Sequence, residues 1–462
     1  MDSILFYDII FLVLFTIGVI IFLKTKKSGL TREGWMYLYK TQLGVNLIDK
    51  FSKKHSKFLN ILKYPILVVG FSLMGYMIYL LCQTVYIYVR FPQITQMIKA
   101  PPIMPLIPYF TQIFGVESFM PPFYFTYFLL ALAIVAVVHE FSHGIFMRLF
   151  NVKIKSTGFA FLGPILGAFV EQDEKSFQSK SNFQQMVILG AGVFANIITA
   201  LFFFILIVIF FNLSYSPSGT IFNNYASNSV QVSDIMNYSQ LNDNLTLINA
   251  GEINYIYPAN LSVFVSALNK TQAEIVVLYY DAPAIRNNLV GAITEIDGNK
   301  IMSQESLYQY LGSKQPGDVI YIKTKQNGFE NIYEINLSVN PQNASRGFLG
   351  ISSNQKTSTG IFGKIMNIFL NYKDDSIYYE SKYNSQVAYF FYNLIWWIMM
   401  INLFVGLFNM LPLGILDGGR FFYLAILSIT NKNVAEKSFK YATKIIFLMF
   451  LIMMIAWAFS LF

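Results

Sequence analysis

The chain has 462 residues, and its composition, 55% apolar with only 13% charged residues, excludes an ordinary soluble domain, which carries about 25% charge. A single cysteine, Cys82, excludes an intrachain disulfide and a cysteine-based metal cage. The net charge of +8 is concentrated in residues 24–63, where ten Lys or Arg face two acidic residues, so we expect a membrane-flanking loop and no nucleic-acid partner.

Six apolar segments are long enough to cross a bilayer as helices. They cover about residues 9–23, 64–89, 122–138, 187–211, 387–411 and 445–462. The first segment is short, and we expect Asp8 to mark its outer end. The N-terminus carries Asp2 and Asp8 instead of basic residues, so we expect no cleavable signal peptide and a retained first span.

The basic segment 24–63 predicts the orientation of the chain, because Lys and Arg favour the cytoplasmic side. With this segment inside, alternation places 151–186 and 412–444 inside and 89–121 and 212–386 outside. Seven Asn-x-Ser/Thr sequons, which accept glycans only on the translocated side, all fall in the last of these segments. They begin at Asn212, Asn237, Asn244, Asn260, Asn269, Asn336 and Asn343. The sequence therefore predicts a multi-pass protein of the cell membrane in which 212–386 is extracytoplasmic and carries the candidate sites for N-glycans.

The outer segment 212–356 predicts a folded β-rich domain. "EIVVLYY" is a strand, "EIDGNKI" is a strand with an Asp-Gly turn, and the alternation around Asn327-Gly328 predicts a hairpin. Between them, "SQESLYQYLGSKQPGD" predicts a short helix. This order resembles the C-terminal part of a PDZ domain, whereas 215–280 matches less well and could hold an insertion or a second small unit. No PDZ carboxylate-binding loop is recognisable, and 357–386 is expected to be an interfacial connector.

The stretch "VVHEFSHGIF" places ionisable side chains at the end of an apolar span. His139 and His143 are four residues apart, so on a helix they share one face and can chelate one Zn²⁺. Glu140 lies between them and can act as a general base toward water. Since ionisable groups are rare at membrane depth and usually functional, two ordinary core histidines are the weaker interpretation.

A catalytic zinc needs a third protein ligand, and the segment "NMLPLGILDG" offers Asp417. In the predicted orientation, Asp417 and the two histidines lie at similar depth near the cytoplasmic face. Pro412 and Gly414 would break the helix before it, which is tolerated where backbone lines a protein cavity. The alternative for Asp417 is a capping or turn residue in a solvated loop.

HEFSH together with NMLPLGILDG resembles the site-2 protease family of intramembrane zinc metalloproteases. "FLGPILGAFVEQDEKSFQSKSNFQQMVILGAGVFAN" is similar to that family's membrane-associated hairpin and the helix start that follows it. The resemblance implies His139, His143 and Asp417 as ligands of one Zn²⁺ and Glu140 as the base. It also implies that Asn409 and Asn196 lie near the site, with Asn409 able to donate a hydrogen bond to the substrate.

The predicted fold is a polytopic α-helical membrane protein of about six spans with an inserted β-rich, PDZ-like extracytoplasmic domain. The expected divisions are two N-terminal spans with their loops, a first catalytic part, the outer domain, the connector and a second catalytic part. These cover residues 1–121, 122–211, 212–356, 357–386 and 387–462. The expected activity is cleavage of single-span membrane proteins within the bilayer, with the "GFAFLGPILGAFV" hairpin, 158–170, holding the unwound substrate by strand addition.

Three other functions remain open from the residues. A different membrane zinc protease would need a glutamate ligand on a later apolar helix, which the sequence does not supply. A transporter or proton relay would spread its ionisable residues over several spans, whereas here they cluster at two helix ends. A non-catalytic receptor would depend on the outer domain alone.

Overall fold

The computed structural model describes residues 3–26, 30–91, 101–117, 120–270, 274–326, 328–353 and 372–459. Contacts divide the chain into two units, Met1–Phe211 with Gln386–Phe462, and Asn212–Ser385. Among the described residues, six helices are long and apolar enough to cross a membrane, which confirms the predicted number of spans. The "GIFGKIMNIFL" part of the predicted connector lies outside the described residues.

The helices of the first unit include all six candidate spans. In chain order they are α1 (Ser3–Thr25), α2 (Leu43–Lys54), α3 (Ser56–Arg90), α4 (Phe110–Ile113), α5 (Phe125–Leu149), α6 (Glu174–Gln178) and α7 (Asn182–Ser214). The second unit, Asn212–Ser385, adds α8 (Leu261–Lys270), α9 (Pro283–Arg286) and α10 (Gln304–Gly312). The chain continues with α11 (Ser385–Asn409), α12 (Asp417–Ile429) and α13 (Lys432–Phe459). The candidate spans are α1, α3, α5, α7, α11 and α13.

The basic segment 24–63, which the sequence predicts as a connection between two spans, contains regular secondary structure. It holds a hairpin of β1 (Leu30–Glu33) and β2 (Met36–Thr41), followed by α2. The predicted membrane-associated hairpin is β3 (Ile154–Leu162) and β4 (Ile165–Gln172). The four strands form one antiparallel sheet in the order β1-β2-β3-β4. The N-terminal hairpin therefore occupies one edge of β3 and leaves β4 at the end of the sheet.

Helix α2 packs against α5 through a glycine. Ile48 is fully buried, and a Cβ on Gly144 of α5 would lie 2.6 Å from its Cδ1 atom. Burying an isoleucine side chain contributes about 1.5–3 kcal/mol, and Gly144 gives this side chain its space. The same small core includes Phe146 and Val152, so it holds the end of α5 against the sheet.

The start of α5 is fixed by a carboxylate from α1. Asp8 accepts hydrogen bonds from the backbone N–H groups of Phe125 (2.7 Å) and Thr126 (2.9 Å), from Thr126 Oγ1 (2.6 Å) and from Tyr109 Oη (2.7 Å). The residue before α5, Tyr124, makes no side-chain cap, so Asp8 caps α5 from another helix. Asp8 does not mark the end of its own helix, because α1 begins at Ser3 and buries Asp8 within it.

The second unit is built from antiparallel sheets. Its strands are β5 (Tyr215–Thr220), β6 (Asn224–Tyr225), β7 (Ser227–Gln231), β8 (Ile235–Asn242), β9 (Leu245–Ala250), β10 (Ile253–Tyr257), β11 (Ile275–Tyr280), β12 (Ala292–Ile296), β13 (Asn299–Lys300), β14 (Val319–Gln326), β15 (Phe329–Asn336), β16 (Ser338–Asn340), β17 (Asn343–Phe348), β18 (Ile351–Ser352) and β19 (Ile377–Ser381). One sheet has the order β7-β11-β10-β9-β8, and the other has the order β15-β14-β12-β5-β19 with β13 paired to β12. Two further pairs, β16-β17 and β18-β6, complete the pairings among the described residues.

The local predictions for the outer segment are confirmed. β12 and β13 flank a turn in which Asp297 and Gly298 have positive φ, and β14 pairs with β15 along its whole length. Helix α10 begins with a capping box at Ser303. Within 215–280, strands β7 to β11 form a separate sheet with its own core, which includes Ile248, Phe264 and Leu278, whereas β5 belongs to the other sheet. The likeness of the unit to a PDZ domain stays a prediction.

Candidate metal centre

Two histidines lie one turn apart on α5. His139 and His143 are both buried, and their Nε2 atoms are 3.0 Å apart. The rings meet edge to face, with centroids 4.5 Å apart. A spacing of four residues puts both side chains on one face of the helix, so the two Nε2 atoms point to a common position.

The third side chain comes from the break after α11. This helix ends at Asn409, the chain turns through 410–416, and α12 begins at Asp417. Oδ2 of Asp417 lies 3.0 Å from Nε2 of His139 and 3.3 Å from Nε2 of His143. The ligand atoms of the three residues all lie within 4.8 Å of one another. The structure therefore brings together the three residues that the sequence singles out as metal ligands.

Glycines let backbone approach this cluster. A Cβ on Gly192 of α7 would lie 2.5 Å from Nε2 of His143 and 2.8 Å from Cε1 of His139. A Cβ on Gly418 would lie 2.3 Å from the carbonyl carbon of Met410. Any larger residue would displace the imidazoles or the start of α12. No sequence pattern singled out Gly192, although it lies in the same "AGVFAN" stretch as Asn196.

The other nitrogen of each imidazole faces a polar atom of α7. Nδ1 of His143 donates to the backbone oxygen of Ile188 at 2.7 Å, so Nε2 is the nitrogen that faces His139 and Asp417. The side-chain nitrogen of Asn196 lies 3.0 Å from Nδ1 of His139. Asn196 is fully buried, and its Oδ1 has no hydrogen-bond partner among the described residues. Asn196 is thus beside the cluster, as the resemblance implies.

The unpartnered Oδ1 of Asn196 indicates how the side chains of His139, His143 and Asp417 fit a cation. Rotating the side-chain amide of Asn196 by 180° exchanges the positions of its oxygen and nitrogen. Oδ1 then accepts a hydrogen bond from the Nδ1–H of His139, and in this tautomer the Nε2 atom of His139 carries no proton. Both imidazoles then present a lone pair beside the carboxylate of Asp417. Two imidazole nitrogens and one carboxylate oxygen, each oriented by an outer hydrogen bond or held by packing, form a set that suits zinc.

Asn409 and Glu140 lie around the cluster. Nδ2 of Asn409, the last residue of α11, lies 3.4 Å from Nε2 of His139. Glu140 is half-buried and points toward β4, where its Oε2 accepts a hydrogen bond of 3.0 Å from the backbone N–H of Val170. The contact of Glu140 with a backbone group on the hairpin leaves no signal in the sequence. It ties the candidate base to the strand at the end of the sheet.

The first turn of α12 is fixed from α6. Arg420 donates to Oε1 of Glu174 at 2.8 Å, and its guanidinium carbon lies 4.3 Å from the ring centre of Phe177. Although burial alone would raise the pKa of Glu174, hydrogen bonds from Arg420 and Gln178 hold it below the ordinary value. Glu174 is therefore ionised at neutral pH, and the pair keeps the residue three positions after Asp417 in place.

Comparison with known proteins agrees with the geometry. The family model described as Peptidase family M50 matches residues 127–453, which is more than half of the chain. "Uncharacterized protein MJ0971" of Methanocaldococcus jannaschii is 42% identical over 71 residues, which cover 15% of this chain and 19% of that protein. "Putative zinc metalloprotease CPE1693" of Clostridium perfringens is 24% identical over 319 residues, which cover 65% of this chain and 82% of that protein. The chain thus spans about a fifth of the length of the first relative and most of the second.

The family match includes both halves of the cluster, the His139–His143 pair and Asp417. It covers α5, α7, α11 and most of α13, so four of the six candidate spans fall within it. Together with its apolar helices, this match makes the protein a multi-pass membrane protein. The chain belongs to Peptidase family M50, the site-2 protease family.

Proposed function

We propose that the chain is a zinc-dependent intramembrane endopeptidase that cuts membrane-spanning segments of other proteins. The observation that carries the proposal is the convergence of His139 and His143, on the spanning helix α5, with Asp417 at the start of α12, and Glu140 lies beside them. Ionisable groups at membrane depth are usually functional. Membership of a metallopeptidase family supports hydrolysis over transport or a receptor role.

His139, His143 and Asp417 would hold one Zn²⁺ through two Nε2 atoms and the carboxylate. Three protein ligands leave a coordination position open, as in catalytic zinc sites. When bound, zinc supplies a Lewis acid that activates water and polarises a peptide carbonyl. The outer nitrogen of His143 donates to the backbone oxygen of Ile188, and that of His139 contacts the side chain of Asn196, so both imidazoles are oriented for this role.

Glu140 and Asn409 would act on the reacting groups. The N–H of Val170 already donates to Oε2 of Glu140. The other carboxylate oxygen of Glu140, Oε1, would therefore take the proton from the attacking water. The amide of Asn409 would donate to the carbonyl oxygen of the scissile peptide as negative charge develops there. Its position beside His139 supports this role.

Replacement of Glu140 by glutamine tests the reaction. The amide oxygen can still accept from Val170 but cannot take a proton, so cleavage of a model single-span substrate in proteoliposomes should fall by at least about 100-fold. The zinc content of the purified protein should stay the same. Glu117→Gln, at an exposed glutamate outside the cluster, is the matched control. Undiminished cleavage by Glu140→Gln would remove Glu140 from the mechanism.

The end strand β4 is the proposed holder of the substrate. A membrane helix hides its carbonyl groups in its own hydrogen bonds, so the segment to be cut has to unwind and extend. β3 pairs on both edges, with β2 and β4, whereas β4 has no second strand partner among the described residues. The N–H of Val170 points away from β3 and donates to Glu140. The edge of β4 that has no strand partner therefore faces the candidate base. Strand addition there would deliver an extended backbone to the site.

Site-specific photocrosslinking tests this placement. A photoreactive residue at Phe169, which is half-buried on β4, should crosslink to a bound substrate. A probe at Phe161 should not, because Phe161 is buried in the middle of the sheet and packs on Phe22 of α1, with ring centres 5.5 Å apart. Crosslinks at Phe161 without crosslinks at Phe169 would reject β4 as the binding edge.

We propose the orientation that the charges predict, with the cluster near the cytoplasmic side of the cell membrane and Asn212–Ser385 outside. The ten basic residues of 24–63 and the sequons in the outer segment support it. The unit outside would act on substrates before cleavage, for example as a size filter. Since Cys82 is the one cysteine, a Cys82→Ser background with a single new cysteine at Ser229 or Lys57 tests the orientation. An impermeant thiol reagent added outside should label only the Ser229 position.

A further inference from the structure

A cavity of about 650 Å³ lies between the start of α12 and the first turns of α13. Its charged lining consists of Arg420, Lys440 and Lys444 against one acid, Glu436. The aromatic rings of Tyr423 and Phe439 form part of its wall. The cavity therefore combines an excess of positive charge with an apolar surface, and it holds none of the three candidate metal ligands.

The two lysines of this cavity are free to bind an anion. Lys440 and Lys444 are one turn apart on the same face of α13, so one phosphate group can reach both. Neither makes an ion pair or hydrogen bond in the described part of the chain, whereas Lys432 lies 3.8 Å from Glu436. Arg420 is engaged by Glu174 at 2.8 Å. The positive charge that lacks a protein partner is thus on the two lysines.

The cavity lies where α13 changes from polar to apolar. Lys444 is followed by an uncharged run from Ile445 to Phe459 that belongs to the last candidate span. Ile445 is 56% exposed, and Ile415, in the turn beside the cavity, is 90% exposed. Exposed apolar side chains on a membrane helix face acyl chains, so the lysines stand at the level of lipid headgroups.

We propose that this cavity binds an anionic phospholipid, with the headgroup phosphate on Lys440 and Lys444 and the acyl chains directed toward the apolar run that begins at Ile445. Lysines next to a span are common on the cytoplasmic side for topological reasons alone. Lys437 is such a residue, since it lies on the same helix but outside the cavity. Their position in the lining of the cavity distinguishes Lys440 and Lys444 from Lys437.

A bound headgroup would also touch the segment that carries Asp417. Gly414 and Gly419 line the cavity on either side of that residue. Thr443, from the same turn of α13 as the lysines, donates to the backbone oxygen of Pro412 at 3.2 Å. The lipid would therefore contact the turn 410–416 and the first turn of α12 at once.

Native mass spectrometry of the full-length protein in detergent tests the proposal with phosphatidylglycerol as the probe. Wild type should retain one phosphatidylglycerol in preference to phosphatidylcholine. Each of Lys440→Ala and Lys444→Ala should weaken retention about fivefold, from the attraction of one lysine to an anionic lipid. Lys437→Ala is the matched control and should bind like wild type. Glu436→Gln removes the opposing acid and should strengthen retention.

Three results would overturn the proposal. They are equal loss in Lys437→Ala and in the cavity variants, equal retention of phosphatidylcholine, and no response to any of these substitutions including Glu436→Gln. Inorganic phosphate added alone distinguishes the other source of the same chemistry. If millimolar phosphate displaces phosphatidylglycerol completely, the cavity is a site for free phosphate and the lipid proposal is wrong. The binding measurement does not depend on proteolysis, so it stands apart from the proposed function.

Discussion

Helix α5 contacts a carboxylate from another helix near each of its ends. The carboxylate at one end contacts hydrogen-bond donors, and the carboxylate at the other end contacts imidazole nitrogens. At the start of α5, Asp8 is 4% exposed and accepts four hydrogen bonds from N–H and O–H groups. Near the other end, the contacts of the Asp417 carboxylate are with Nε2 atoms of His139 and His143. Once their Nδ1 atoms hold the protons, those nitrogens have only lone pairs to offer. A carboxylate satisfied by donors stabilises the fold, whereas one aimed at lone pairs requires a cation.

The largest expected effect is a difference in zinc content between variants of the two carboxylates. Asp417→Ala should weaken zinc binding by more than about 100-fold, because it removes a ligand and not merely a partner of a ligand. Asp8→Ala should leave the zinc content of the folded protein near that of wild type. Elemental analysis of both purified variants checks this, and a zinc-replete Asp417→Ala protein would contradict the assignment of the third ligand.

The next effect is on stability and falls on Asp8. Asp8→Ala leaves buried donors at the start of α5 without an acceptor and should lower the free energy of unfolding by roughly 2–4 kcal/mol. Thr126→Val removes one of the four hydrogen bonds and should cost about 1 kcal/mol. Denaturant unfolding in detergent measures both. Equal stability of Asp8→Ala and wild type would show that the cap is dispensable.

Asn196 gives a smaller effect that depends on its acceptor atom. Asn196→Ala removes the partner of His139 Nδ1 and should weaken zinc binding by about 10–100-fold. Asn196→Asp restores an acceptor for the Nδ1–H and should recover most of the affinity. Competition with a zinc chelator gives both values. If the alanine and aspartate variants lost affinity equally, Asn196 would serve packing and not the orientation of the imidazole.

The smallest effect belongs to a half-buried carboxylate, Glu171 on β4. Hydrogen bonds from Ser156 and then Lys40 hold its pKa below the ordinary 4.5. A depressed pKa in the folded state adds stability that is complete above pH 4.5 and is lost as the pH falls toward the depressed value. Its side chain is 35% exposed, so the contribution should stay under about 1 kcal/mol. Glu171→Gln should flatten the dependence of unfolding on pH below 4.5, whereas an unchanged slope would exclude the Lys40 contact.

The spans and the cluster could be predicted because each rests on a local pattern. Hydropathy reports the lipid environment of a helix directly, and the spacing of His139 and His143 fixes their common face. Asp417 followed from its depth in the predicted orientation and from the family motif. The turn of the outer hairpin was visible because Asp297-Gly298 needs positive φ.

The rest depends on contacts between distant segments. Nothing in "MYLYKT" shows that it pairs with 157–161, because lysines nearby suggest a solvated loop and strand pairing has no local signature. The partner of Asp8 is mostly backbone, which every residue offers, so its capping of α5 could not be foreseen. The same holds for Glu140 and Val170. The helix α13 also begins well before the apolar run, since its polar first turns pack on α12.

The position of β4 at one edge of its sheet has a consequence for the products of cleavage. Successive residues of an extended chain point to opposite sides, so a segment paired with β4 keeps the same side chains toward the site only when it slides by an even number of residues. A substrate with several acceptable positions would then be cut at bonds two residues apart, and its fragments would form a ladder with the odd steps missing.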